Sequence, residues 1–146
     1  MAGMSREGGC LCGAVRYRAE GEPVRNSVCN CTGCQRRTGS LAGFGAYFKT
    51  EQVELRGKLG TYEHHSDESG RWLRFEFCPK CGTQVTWTAE ALPGMRAIGV
   101  GTLDDPRWVK PKRFSWLRSA HHWLVPPKDV EAIEKGTLPI RGRSPN

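Results

Sequence analysis

The distribution of seven cysteines constrains this chain more than any other feature. Three fall within six residues, Cys29-Asn30-Cys31-Thr32-Gly33-Cys34, and four form two pairs, Cys10-Leu11-Cys12 and Cys78-Pro79-Lys80-Cys81. Thiols grouped as pairs and a triplet are spaced to converge on metal rather than to cross-link. Disulfides would leave an odd thiol over, and they belong to oxidising compartments. The opening run Met1 to Gly9 lacks the apolar core of a signal peptide, so a reducing compartment, the cytoplasm, is expected. Four thiolates also suit iron, but the spacings are not those of a ferredoxin, and zinc is the expected ion.

The count then matters. Four thiolates close a structural tetrahedral zinc site, whereas a catalytic zinc keeps three protein ligands and a position for substrate. Cys78-Pro79-Lys80-Cys81-Gly82 reads as a zinc knuckle, with Gly82 permitting the positive φ of its turn. A knuckle needs a second two-thiol arm, and Cys10/Cys12 is the isolated pair at hand. In an extended strand those two side chains would stand roughly 6–7 Å apart, so the flanking Gly9 and Gly13 are expected to bend the chain there. Cys29, Cys31 and Cys34 remain for a second zinc. Two other arrangements stay open from spacing alone. Cys10 or Cys12 completes the triplet's sphere, or one of His64, His65, His121 and His122 closes it as a structural site.

The 18 glycines and 9 prolines in 146 residues favour many turns and short elements, hence a mainly β fold in one domain. Alternating apolar residues mark strands at 14–19, 44–49, 53–55, 59–63, 72–77, 84–88, 95–100 and 114–117. The segment from His64 to Gly70 reads as a surface loop. Thr32 is placed to cap a helical turn from Gly33 to Arg37, ended by Gly39. Pro126-Pro127 and Gly136 bracket one short C-terminal helix over 128–135. The stretch 138–146 reads as a loose terminus, within a tail of 126–146 behind a core of about 8–125. The longest apolar runs fall short of a membrane span.

The formal charge of +7 points to acidic partners, yet seven thiolates on two dications would bring it to about +4. The basic residues are also scattered, which reads as solvated surface and makes nucleic acid an unlikely partner.

With these residues in view, the chain resembles the glutathione-dependent formaldehyde-activating enzyme family, which also includes a centromere-associated relative. The carriers are Gly9-Cys10-Leu11-Cys12-Gly13-Ala14-Val15, Cys29-Asn30-Cys31-Thr32-Gly33-Cys34-Gln35-Arg36, Phe77-Cys78-Pro79-Lys80-Cys81-Gly82-Thr83 and Gly101-Thr102-Leu103-Asp104-Asp105-Pro106. The resemblance implies antiparallel sheets packed as a β-tent and a structural zinc on Cys10, Cys12, Cys78 and Cys81. It also implies a second zinc on Cys29, Cys31 and Cys34, and a carbon–sulfur lyase or synthase that adds glutathione's thiol to formaldehyde or a related small aldehyde. Gln35, Arg36 and Arg37, next to the triplet, are the expected contacts for the thiol partner, since arginine grips a carboxylate with paired hydrogen bonds. The competing class is a non-catalytic zinc module that binds a protein or nucleic acid through Trp72, Trp108, Trp116 and Trp123.

Overall fold

The computed structural model describes residues 3–136. Its eleven strands form two sheets, and its single α-helix among the described residues is α1 (Thr32–Thr38). The smaller sheet is antiparallel, with β2 (Arg16–Glu20) between β1 (Ser5–Gly9) and β5 (Val53–Arg56). The larger sheet has eight strands. In spatial order these are β11 (Glu131–Ala132), β10 (Arg113–Ser115), β3 (Arg25–Cys29), β4 (Gly43–Lys49), β9 (Met95–Gly99), β8 (Gln84–Ala89), β7 (Trp72–Phe77) and β6 (Gly60–His65). Pairing is antiparallel from β3 to β6 and parallel where β10 meets β3 and β11. The fold is mainly β, and none of its helices is long and apolar enough to cross a membrane.

The core lies between the sheets, and period-two alternation decides which side chains reach it. Val15, Tyr17 and Ala19 enter from the small sheet, and Ala46, Phe48, Val85 and Ile98 from the large one. Tyr17 is buried but keeps its hydroxyl bonded to Thr102 Oγ1 at 2.9 Å, as a buried polar group requires. A side chain at Gly8 would run into that hydroxyl and the Thr102 carbonyl, so glycine is what lets β1 approach. The other face of β4 carries Gly43, Gly45 and Tyr47, away from this core and toward the cavity described below.

Three expectations change. The tail is not helical: Lys128 to Lys135 turns and adds β11 to the outer edge of β10, through Glu131 N–H to Lys112 O at 3.2 Å and Ile133 N–H to Phe114 O at 2.9 Å. Eight residues make a marginal helix in water, and an open strand edge offers those backbone groups immediate partners. His64 and His65 end β6 rather than opening a loop, each opposite a residue of β7. The helical turn starts at Thr32, and its cap is Cys31, whose sulfur accepts the Cys34 N–H at 3.2 Å. Gly39 ends it in the left-handed conformation, at φ 66°. The tail segment 137–146, including the expected loose terminus, lies outside the described residues.

Candidate metal centres

The four paired cysteines meet between two turns that are far apart in sequence. Gly13 (φ 80°) bends the chain after β1, and with Gly13 N–H bonded to Cys10 O at 3.1 Å the two sulfurs come to 3.6 Å. This is the bend that the flanking glycines imply. Gly82 (φ 78°) does the same after Cys81, with Gly82 N–H on Cys78 O at 2.8 Å. Cys12 and Cys78 sulfurs are 3.7 Å apart, and all four thiols lie within 4.8 Å of one another. Backbone N–H groups are aimed at sulfur: Val15 N–H donates to Cys10 Sγ at 3.2 Å. Thr83 joins the turns, accepting the Leu11 N–H at 3.1 Å and lying 3.2 Å from Cys81 Sγ. The Thr83 hydroxyl and backbone hold the Cys81 thiol down to about 5, in the thiolate form a metal needs.

The triplet is built within one segment. Cys29 is the last residue of β3, paired with Gly43 on one side and Ser115 on the other. Buried Asn30 then turns the chain, its Nδ2 donating to Ser115 O at 2.9 Å, and delivers Cys31 and Cys34 to the first turn of α1. The three sulfurs also lie within 4.8 Å of one another. Such crowding opposes full ionisation. The Cys29 thiol is pushed up by its bonds to Cys31 and Cys34, while Cys34 is pulled down by the Cys29 and Cys31 thiols and by the Arg37 charge. A cation among the sulfurs would remove that conflict, and each donor set is compatible with zinc.

Arg37 is fixed beside this cluster. Its Nη2 is 3.8 Å from Cys34 Sγ, its Nη1 donates to Gln84 Oε1 at 2.9 Å, and its guanidinium lies 4.5 Å from the Trp87 ring centre. Gly43 gives it room, since a Cβ there would come within 2.6 Å of Nη2. Arg36 is exposed at the cavity rim. Gln35 is turned elsewhere, its Nε2 donating to Asn30 O and Ser119 O, each at 2.9 Å, so it braces the helix.

The three sulfurs, Arg36 and Arg37 face a cavity of about 810 Å³ on one face of the large sheet, between α1 with β3 and β4 on one side and the β6–β7 hairpin on the other. Its floor follows strand alternation: Arg25, Ser27 and Cys29 from β3, opposite Tyr47, Gly45 and Gly43 from β4. Trp87 and Phe75 form an aromatic wall. His64 also lines it, stacked on Phe75, and His65 pairs with Glu63. His121 and His122 are exposed, with their rings tilted by 30° and their centres 5.0 Å apart. Among the described residues no histidine joins either group of sulfurs. Arg25, Tyr47 and Trp87 were not among the sequence-derived candidates. The alternation Arg25-x-Ser27-x-Cys29 running into the triplet was the one available signal for the first.

Residues 5–119 match the model of a protein family described as glutathione-dependent formaldehyde-activating enzyme. The chain belongs to that family. A crystal structure of a Rhodobacter sphaeroides protein, a structural genomics target, shares the fold at a TM-score of 0.54 and 24% identity. The similarity covers 72% of this chain and 91% of that one. No curated protein matches the sequence.

Proposed function

We propose that this family member joins a thiol, glutathione, to formaldehyde or a related small aldehyde at the Cys29, Cys31 and Cys34 wall of the cavity. The observation that carries this reading is an asymmetry of donors and access. Four sulfurs converge between the two turns, enough to complete a structural zinc site on Cys10, Cys12, Cys78 and Cys81. Three converge on the cavity, where Cys29, Cys31 and Cys34 would hold the second zinc with a position left for the thiol. A zinc ion held there would favour the thiolate form of a thiol presented to it.

The chain's own residues supply the rest. The reaction is an addition in which sulfur bonds to the aldehyde carbon, the carbonyl π-bond breaks and the thiol proton passes to oxygen. Arg37, held by Gln84 and Trp87, offsets the negative charge that accumulates where thiolates gather. Exposed Arg36 is in reach of a carboxylate on the thiol partner. Trp87 and Phe75, against which the Arg37 guanidinium packs, exclude water from the reacting end, which strengthens every charge interaction there. The unpaired state of all seven cysteines suits a reducing compartment such as the cytoplasm.

Calorimetric titration of the two-zinc protein with glutathione, and in parallel with S-methylglutathione, tests the reading. Glutathione is expected to bind with proton release, and the S-methyl compound at least tenfold more weakly. Equal affinity for the two would remove the thiol from the interaction and sink the proposal.

A further inference from the structure

Arg25 is a cation without an assigned role. It begins β3, four residues before Cys29, and alternation puts it on the same cavity-facing side as Ser27 and Cys29. Its Nε is buried and has no hydrogen-bond partner, although an arginine presents five donors in a planar fork. Its guanidinium lies 5.8 Å from the ring centre of Tyr47, its cross-strand neighbour. The acidic side chain that attracts it, Glu131, is engaged by Arg113 at 3.0 Å, and Arg113 itself repels Arg25. Burial and that repulsion both weaken the hold on its proton, so the site lacks an anion rather than a cation. A half-buried guanidinium that faces a cavity with its Nε unpaired is a place where an arriving carboxylate gains more than at the surface.

We propose that Arg25 anchors a carboxylate at the far end of the thiol partner and so selects anionic peptide thiols over small neutral ones. This rests on the reading that the triplet receives the thiol, and it adds the element that sets specificity. The spacing fits. Four residues of strand separate the Cα atoms of Arg25 and Cys29 by about 13 Å. Glutathione carries its sulfur on the central residue, so a terminal carboxylate reaches about 7 Å from the thiol, and the arginine side chain covers the difference. Arg37 lies at the sulfur end and Arg25 at the opposite end, so the two arginines divide the work.

The test measures affinity of the two-zinc protein for glutathione, its diethyl ester and 2-mercaptoethanol, in wild type, R25A and R25K. For wild type the ester is expected to bind about tenfold more weakly than glutathione. R25A should lower glutathione affinity by about that factor and leave the ester and 2-mercaptoethanol unchanged, while R25K should keep part of the gain. Equal losses for glutathione and its ester in R25A would overturn the assignment, because then the arginine supports the fold and not the carboxylate. S-methylglutathione separates the two proposals. If wild type binds it as well as glutathione and R25A loses both alike, the anchor stands and the thiol reading falls. Failure of wild type to bind any of these compounds would overturn both.

Discussion

The two thiol clusters use the same ligand atom and similar turns, yet they differ in what each connects. The four-sulfur group joins the β1–β2 turn to the β7–β8 turn, with Cys12 and Cys78 66 positions apart in sequence. The three-sulfur group spans six residues within a single strand-to-helix corner. Holding distant segments together removes a large loop from the unfolded ensemble, and that benefit grows with loop length. Gathering neighbours removes almost none. Stability should therefore rest on the first group, and the second is free to serve chemistry. Burial agrees: Cys10 and Cys78 belong to the core cluster, whereas the triplet faces the cavity.

Three experiments break or sharpen that contrast, and the first has the largest effect. In C78S, a buried ligand is lost from the long-range group. Structural zinc contributes folding energy outright, about 10 kcal/mol or more in small zinc domains. The variant is expected to lose the cooperative thermal transition followed by circular dichroism and to bind fewer than two zinc ions by elemental analysis. A melting curve like that of wild type would show that the core alone holds the sheets together.

The second targets the triplet. C31A should drop zinc from two to one per chain, move the melting temperature by only a few degrees, and reduce thiol–aldehyde addition to the uncatalysed rate. It also removes the sulfur that caps α1, which accounts for about 1 kcal/mol of the small loss. If C31A melts as poorly as C78S, the division between stabilising and reactive clusters is wrong.

The third effect is smaller and concerns the charge beside the sulfurs. R37A should keep both zinc ions and lower the rate of addition by about tenfold to a hundredfold, by removing a charge close to Cys34. G43A should act in the same direction more weakly, because the added methyl displaces only the end of the Arg37 side chain. Equal rates for R37A and wild type would leave Arg37 as packing against Trp87.

The same contrast governs what was legible in the sequence. Trp72 to Phe77 matches β7 residue for residue because its alternation is complete and local. Ser5-Arg6-Glu7-Gly8-Gly9 carries no apolar residue and becomes β1 through its pairing with β2, a contact made elsewhere in the chain. Arg25-Asn26-Ser27-Val28-Cys29 hides a central strand behind polar residues that are buried because they floor a cavity and bond to their neighbours. The thiol groups were readable because donor chemistry limits how cysteines combine. The cavity was not, since its walls come from β3, β4, β7, β8 and α1, and no local pattern announces where such faces meet. The tail misled for the same reason: Pro126-Pro127 and Gly136 are helix punctuation, but the vacant edge of β10 is invisible in one dimension.

The separation between Cys12 and Cys78 also orders events in time. A chain made from its N-terminus holds the complete triplet once Cys34 exists, while Cys10 and Cys12 must wait for Cys78 and Cys81. During synthesis the three-sulfur corner is therefore complete before the four-sulfur clasp can close, and the first pair spends that interval as two unprotected thiols.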